Sequence, residues 1–445
     1  MNPNVSAVRV QGLSQGLTIF TFLLGIFMGA LDHGIVGPAL SSIFIAFGVD
    51  SSWGVWSFTI YTLVFAVSIP VLGKLSDRFG RKQTFLFGIV AFAVGSLIAA
   101  MASNFWIFLL GRAVQAIGSG GIFPITAAQI AATYPPEKRG KAMGWIGVAF
   151  GLGTILGPVA GSVIIAHFDW QWIFLINLPI SAVILIMIAG YKPNQQVVNR
   201  PIDVAGIILL SAIILLIMVG ISSHQALYSL IGLLLVPVLV MIEKKQVDPV
   251  LNVQYFTQGN TLTILAASLL SGFVMATATN FIPLFSETIL GLEKGNAGFS
   301  VTPLAIASMV ASLAGGMLVD KWGAKKVILL GFVITLAGAL SLGIFVSSMV
   351  LFLPTVMIMG FGIGIIIGAP LNILILQAVD PKEIGSAVGY LSLFRSIGST
   401  LGPAIAGFFL SSFQDGFSYI YLVSAVASVL SIVILFMFVQ KKKLA

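Results

Sequence analysis

The chain has 445 residues, 58% of them apolar and only 8% charged, with a mean hydropathy of +1.09. Soluble domains carry roughly 25% charged residues, so a soluble globular fold is excluded and a polytopic membrane protein is expected. The formal charge of +8 reads as membrane orientation rather than nucleic-acid binding, and the absence of cysteine excludes disulfides.

Apolar runs of spanning length recur fourteen times, near 17–40, 53–72, 83–102, 105–131, 142–165, 172–190, 204–221, 226–242, 261–285, 297–319, 327–345, 350–378, 385–411 and 417–439, each read as a transmembrane helix. The first run is too long for a cleavable signal and lacks its small-residue cleavage site, so it is expected to be retained. With the N-terminus in the cytoplasm, alternate loops collect Lys74, Arg78, Arg81 and Lys82, then Lys138, Arg139 and Lys141, then Lys192 and Arg200, then Lys244 and Lys245. Lys321, Lys325 and Lys326, then Lys382, then Lys441, Lys442 and Lys443 follow, while the opposite loops hold only Lys294. This predicts fourteen spans in the plasma membrane with both termini cytoplasmic.

The first run carries Asp32 and His33 well inside it. A charge at membrane depth costs roughly 2.5–3.5 kcal/mol and faces a protein interior or a water-filled path, which marks Asp32 as a carrier of a proton or a cationic substrate. Gly29, Met28 and Gly25 share its helical face, and two glycines four apart predict close helix packing there. His33 lies about 100° round the helix from Asp32, so it is either a packing histidine or a second titrating group. His167 and His224 fall in outer loops. Arg112 sits one or two turns inside the outer end of its span with Gln115 and Ser119 on the same face, and the run of the helices puts Asp32 and Arg112 both in the outer half of the bilayer. A fixed guanidinium there would favour the charged form of a nearby carboxylate.

An internal repeat organises the rest. Gly73, Asp77 and Gly80 recur at the same spacing as Gly316, Asp320 and Gly323, and Gly144, Gly153, Gly157 and Pro158 recur 245 residues later as Gly389, Gly398, Gly402 and Pro403. The chain therefore divides into an N-terminal six-helix half (1–190), a linker with two inserted spans (191–258) and a C-terminal six-helix half (259–445), a transporter design with its site between the halves.

These motifs resemble the major facilitator superfamily. Gly73-Lys-Leu-Ser-Asp77-Arg78-Phe-Gly80-Arg81-Lys82 is similar to its loop signature between the second and third helices. Arg112, Gln115 and Gly118 resemble its second motif, with Ala116 where a glycine is usual. Gly144, Gly153, Gly157-Pro158 and Gly161 resemble the antiporter motif of the fifth helix, with Ser162 replacing a final glycine. Leu31-Asp32 with Ile35-Val36 and Ala39-Leu40, and Trp170 to Pro179 around Asn177, are similar to the fourteen-helix drug:proton antiporter group. The resemblance implies an all-α fold of two six-helix halves and two central inserted helices. It also implies a gating role for the glycines and proline of the fifth helix, and a proton-release role for Arg112.

Gly73 to Lys82 read on their own terms as a tight loop whose Asp77 caps a neighbouring helix end, a latch; the copy ending in Lys325 and Lys326 reads as a weaker one. Phe58, Tyr61 and Phe65 share a face and, with Phe394 and Arg395, are candidates to line a pocket for flat lipophilic ligands. Asn280 and Asn372 are candidate polar groups of the same cavity, or interhelical glue, and Glu287 is a candidate second coupling charge. Arg395 has Phe150 as its counterpart in the other half.

With no GxxxxGK[ST] loop, metal-ligand cluster or nucleophile elbow, no enzyme activity and no cofactor are expected. The expected function is proton-coupled multidrug efflux of lipophilic, cationic compounds by alternating access, as a monomer whose partners are substrate, protons and lipid. The alternative is export of an endogenous lipid or metabolite, or a tetracycline-type exporter, with sodium as a possible coupling ion.

Overall fold

Backbone amides in hydrocarbon find partners only in other backbone groups, so apolar spans fold as helices. The computed structural model describes residues 15–49, 56–192, 203–223, 225–246, 248–292, 298–345, 348–380, 383–413 and 415–438. The helices are α1 (Gln15–Phe47), α2 (Trp56–Phe79), α3 (Arg81–Ala100), α4 (Phe105–Gly120), α5 (Ile122–Thr133), α6 (Pro136–His167), α7 (Trp172–Leu175), α8 (Asn177–Ala189), α9 (Val204–Ser222), α10 (Ala226–Glu243), α11 (Val253–Thr257), α12 (Gly259–Thr288), α13 (Thr302–Trp322), α14 (Ala324–Ile344), α15 (Met349–Ile367), α16 (Pro370–Ala378), α17 (Ile384–Ser412) and α18 (Gly416–Phe438). Among the described residues thirteen stretches are long and apolar enough to cross a membrane. The span predicted at 385–411 is not among them, yet α17 is one continuous helix of 29 residues, long enough at 1.5 Å per residue to cross.

Three predicted spans are broken. The run at 105–131 divides at Gly121 into α4 and α5, and the run at 350–378 divides at Gly368 and Ala369 into α15 and α16. These breaks occupy matching places in the two halves. A Cβ on Gly121 would stand 2.6 Å from the Leu72 Cβ, and one on Gly368 2.7 Å from the Ser312 Oγ, so each break lets another helix come close. Pro370 then begins α16, where its missing amide hydrogen is harmless. The run at 172–190 divides into α7 and α8 at Ile176.

The predicted loop from Gly73 to Lys82 is almost entirely helical: α2 continues to Phe79 and α3 starts at Arg81. The turn is made by Gly80 alone, at φ 95°, and its copy by Gly323 at φ 81°, a region open to glycine and strained for other residues. Just beyond each turn a lysine caps the last helix of its own half: the Lys82 Nζ donates to the Ala189 carbonyl at 3.1 Å and the Lys325 Nζ to the Phe436 carbonyl at 3.0 Å.

The two aspartates of the repeat join the halves. Asp77 Oδ1 accepts from the Gly385 amide at 2.9 Å, and Oδ2 accepts from the Ser386 amide and hydroxyl at 2.8 Å each. Asp320 Oδ1 and Oδ2 accept from the Gly140 and Lys141 amides at 2.8 and 2.9 Å. Asp77 thus sits on the first turn of α17, where free amides and the helix dipole favour an anion, and Asp320 bonds the second turn of α6. The second copy uses two backbone donors where the first adds a hydroxyl, so the halves are bonded across both seams. Close approach is built in: Gly73 lies against the Gly385 carbonyl, and Gly140 against Gly316.

The inserted helices α9 and α10 pack on one seam. Leu210, Ile213, Ile214 and Met218 of α9 meet Leu63, Ala66 and Ile69 of α2 and Leu393 of α17. Lys74 at the end of α2 bonds Asp248 beyond α10 at 2.7 Å, and the Tyr390 hydroxyl of α17 accepts from the Asn252 amide at 3.2 Å.

Candidate functional site

The face of α1 that holds Asp32 packs differently from the two-glycine expectation. A Cβ on Gly25 would meet the Phe85 ring at 2.9 Å, whereas nothing lies within 4 Å of one on Gly29. The close backbone approach is made further along, where Gly34 meets Gly157 and Pro158 of α6. A second glycine ladder, Gly88 and Gly95 of α3 against Gly111 and Gly118 of α4, brings those two helices together and seats Ser96 beside Gln115.

Asp32 and Arg112 are both fully buried, with Arg112 Nη1 donating to Asp32 Oδ2 at 3.0 Å. Gln115, one turn on from Arg112, donates from Nε2 to Asp32 Oδ1 at 2.7 Å and to Ser96 Oγ at 2.8 Å, while its Oε1 accepts from Arg112 Nη1 at 2.5 Å. Asn177, the first residue of α8, donates from Nδ2 to Asp32 Oδ1 at 2.7 Å. Arg112 Nε donates to the Ser57 carbonyl at 3.3 Å, and the guanidinium lies 4.3 Å from the Tyr61 ring centre and 5.6 Å from that of Phe174. The Tyr61 hydroxyl shares a 2.7 Å hydrogen bond with Ser119.

This donor set fixes the chemistry. Both oxygens of Asp32 accept from N–H groups, and one net charge faces one net charge, so burial is compensated. A proton added to Oδ1, which already accepts two N–H bonds, would aim an O–H at a donor, and one added to Oδ2 would remove the charge that pairs with Arg112. The charge of Asp32 is thus part of what bonds α1 to α4, while Asn177 bonds it to α8. Arg112 Nη2 and Asn177 Oδ1 are buried with no hydrogen-bond partner, spare capacity that a rearranged cluster can use.

The other predicted residues are dispersed. His33 is exposed, its ring 6.2 Å from that of Tyr61, and it makes no hydrogen bond to Asp32 among the described residues. Tyr61, expected on a ligand-binding face, is buried beneath Arg112, with Phe65 stacked on it at 6.1 Å; the side chain of Phe58 and His224 lie outside the described residues, and the exposed His167 ends α6. Asn280 is exposed, Glu287 is half-buried near the end of α12, and Asn372 is buried and donates to the Gly368 carbonyl at 2.9 Å across the α15–α16 break. Phe394 packs on Phe256, centroids 6.1 Å apart. Arg395 reaches the other half, its guanidinium 5.5 Å from the Phe123 ring centre.

Gly153, Gly157 and Gly161 lie against the Phe27, Leu31 and Ile35 carbonyls of α1, within the N-terminal half, while Gly140, Gly144, Gly147 and Gly151 of the same helix face α13 across the seam. A cleft between the halves is lined by Phe150, Thr154, Met275, Thr279 and Ile363; none of the predicted cavity side chains lines it. Asn177, read in the sequence only as part of a motif, and Ser96, a serine in an apolar run, complete the Asp32 cluster. The heptad-spaced glycines beside Ser96 are the signal that marked its helix face.

The chain matches the model of the Major Facilitator Superfamily over residues 22–374 and 264–445. The chain belongs to the Major Facilitator Superfamily. It is 39% identical over 431 residues to the uncharacterized MFS-type transporter YfiU of Bacillus subtilis (strain 168), covering 92% of this chain and 83% of that protein. It is 32% identical over 428 residues to Multidrug resistance protein 3 of the same organism, covering 91% and 82%. Among solved structures it resembles the human organic anion transporter MFSD10 (TETRAN), with a TM-score of 0.75, 16% identity and coverage of 95% and 100%, a likeness of fold alone. It is a multi-pass membrane transporter.

Proposed function

We propose that this transporter exports lipophilic compounds from the cytoplasm in exchange for protons, by alternating access, from a plasma-membrane position with both termini cytoplasmic. The observation that carries the reading is Asp32, fully buried and bonded by Arg112, Gln115 and Asn177. The bonds of Asp77 and Asp320 between the halves at the basic end support reading this state as closed on the inner side. Proton arrival from outside breaks the Asp32–Arg112 pair and loosens α1 from α4; release inside restores the pair. Arg112, fixed between Tyr61 and Phe174, assists release because it stabilises the carboxylate that release creates.

The same geometry supports a proton over sodium. A sodium ion needs several oxygen ligands, and the groups converging on Asp32 are N–H donors and a guanidinium, which repel a cation. It also supports proton carriage over direct capture of a cationic cargo, which would have to displace Arg112. No cofactor is required, and a monomer contains the whole cluster.

The test uses proteoliposomes with pH and sodium gradients imposed separately, following efflux of ethidium, of a neutral lipophilic dye and of an anionic one. Wild type should move dye with the pH gradient only, and Asp32→Asn should not at equal incorporation. Transport driven by sodium, or retained by Asp32→Asn, overturns proton coupling through this residue. No movement of any dye makes export of an endogenous lipid or metabolite the leading account.

A further inference from the structure

Arg395 is the charge that the Asp32 cycle leaves unused. It lies ten residues beyond Gly385 in α17, about 15 Å deeper than the Asp77 latch at 1.5 Å per residue. Its Nε and Nη2 are buried with no hydrogen-bond partner, and among the described residues no carboxylate pairs with it. The group beneath it is the Phe123 ring of the opposite half, 5.5 Å away. The repeat supplies a second, independent observation: its counterpart Phe150, 245 residues earlier, lines the cleft between the halves. The two-fold relation of α6 and α17 therefore sets Arg395 at the corresponding point of the other seam, facing Phe123 of α5 across the interface between the halves, where the first half carries an apolar ring.

A buried guanidinium with vacant N–H groups and no counter-ion is costly unless something else supplies the acceptor. Arg112 leaves only Nη2 without a partner and is held by Asp32, Gln115 and the Ser57 carbonyl, whereas Arg395 leaves two nitrogens unpartnered. The vacant fork of Arg395 fits a planar anion bidentately, and Phe123 offers an apolar face beside it.

We propose that Arg395 is the anion-recognising subsite of the transport path, selecting lipophilic substrates that carry a carboxylate, a sulfonate or a comparable acceptor group. The inference rests on the export reading above and adds its substrate class. Substrate occupies the vacant N–H groups while its apolar body lies toward Phe123, and the separation of α5 from α17 during the cycle breaks the site apart.

The test is equilibrium binding to the protein in lipid nanodiscs by titration calorimetry, with 2-naphthoate, 2-naphthamide and protonated 2-naphthylmethylamine, which share one ring system and differ in charge. Wild type should bind naphthoate at least tenfold tighter than the amide, and the amine weakest. Arg395→Gln should abolish that preference with less than threefold change for the amide, and Arg395→Lys should retain part of it. Naphthoate binding no tighter than the amide in wild type, or a preference that survives Arg395→Gln, overturns the proposal. Should Arg395→Gln fail to fold, the wild-type order and the Arg395→Lys titration still decide. No gradient enters the measurement, so failure here leaves proton-coupled export standing, and failure of dye efflux leaves this site testable.

Discussion

Replacing Asp77 by Asn tests whether the paired aspartates hold the basic side shut. Asp77 accepts three hydrogen bonds, one on Oδ1 and two on Oδ2. Asparagine keeps one acceptor oxygen and turns the other into an NH2 that faces a donor. Charge-assisted bonds contribute roughly 1.5–3 kcal/mol each and neutral ones roughly 0.5–1.5; with Asp77 only half-buried the lower values apply, and the net loss is about 2 kcal/mol. That is about a thirtyfold rise in the open population. Asp320→Asn loses fewer bonds, since only the Gly140 and Lys141 amides donate, and should raise opening about tenfold. The chain has no cysteine, so Ser76→Cys gives a single reporter at a fully buried position beside Gly385. Its rate of labelling by a maleimide in nanodiscs reads the open fraction when closing is fast. Equal labelling rates with and without Asp77→Asn would refute the latch, and a larger effect for Asp320→Asn would refute the bond count.

The Asp32 cluster makes its own predictions. Asn177→Leu removes one donor of three and should lower thermal stability by about 1–3 kcal/mol equivalent and shift the pH dependence of transport; an unchanged pH profile would remove Asn177 from the coupling machinery. Arg112→Met leaves Asp32 buried without its counter-ion, expected to destabilise by about 3–5 kcal/mol, and Asp32→Asn combined with Arg112→Met should recover part of that loss in a thermal melt; strict additivity would sink the pairing. Gly80→Ala forces a side chain into φ 95° and should cost about 1–3 kcal/mol, with Gly323→Ala comparable; a melting temperature unaltered in both would show that the turns relax. Gly157→Val places its Cβ 2.8 Å from the Leu31 carbonyl oxygen, an overpacking expected to cost about 1–3 kcal/mol and to impair transport more than Gly16→Val, where nothing lies within 4 Å.

How much of this was legible depended on whether a residue's meaning lay in the membrane or in its neighbours. Asp32 and Arg112 stood out because a charge in an apolar run needs a reason, and both were placed in the outer half from helix direction alone; the structure joins them at 3.0 Å. The repeat exposed the paired aspartates, since Gly, Asp and Gly at one spacing twice over is a pattern hydropathy does not produce. Ser96 and Asn177 were not marked as partners because small polar residues are unremarkable in spans, and only the glycine ladder between α3 and α4 shows why Ser96 faces Gln115. Aromatic spacing places Tyr61 on a ligand face but cannot say whether its ring meets substrate or, as here, a guanidinium. The charges from Gly73 to Lys82 resemble those of a loop, although a single glycine suffices for the turn.

The site and the latches are joined by one helix. From Gly140 to Gly151, α6 presents glycines to α13 of the opposite half, and from Gly153 to Gly161 it presents glycines to α1 on either side of Asp32. Gly140 to Gly157 is seventeen residues, about 25 Å of rigid rod, with Asp320 bonded at one end and the Leu31 carbonyl packed at the other. Loss of the Asp32–Arg112 pair frees α1 from α4 but leaves it seated on α6, so any tilt of α1 is carried to the second turn of α6, where the Gly140 and Lys141 amides must leave Asp320. Glycine contacts transmit such a tilt because backbone meets backbone, with no side chain between to change rotamer and absorb it. Gly157→Val should therefore weaken the link as well as the packing: with that substitution Asp32→Asn should no longer change labelling at Ser76→Cys, whereas in the unsubstituted helix it should.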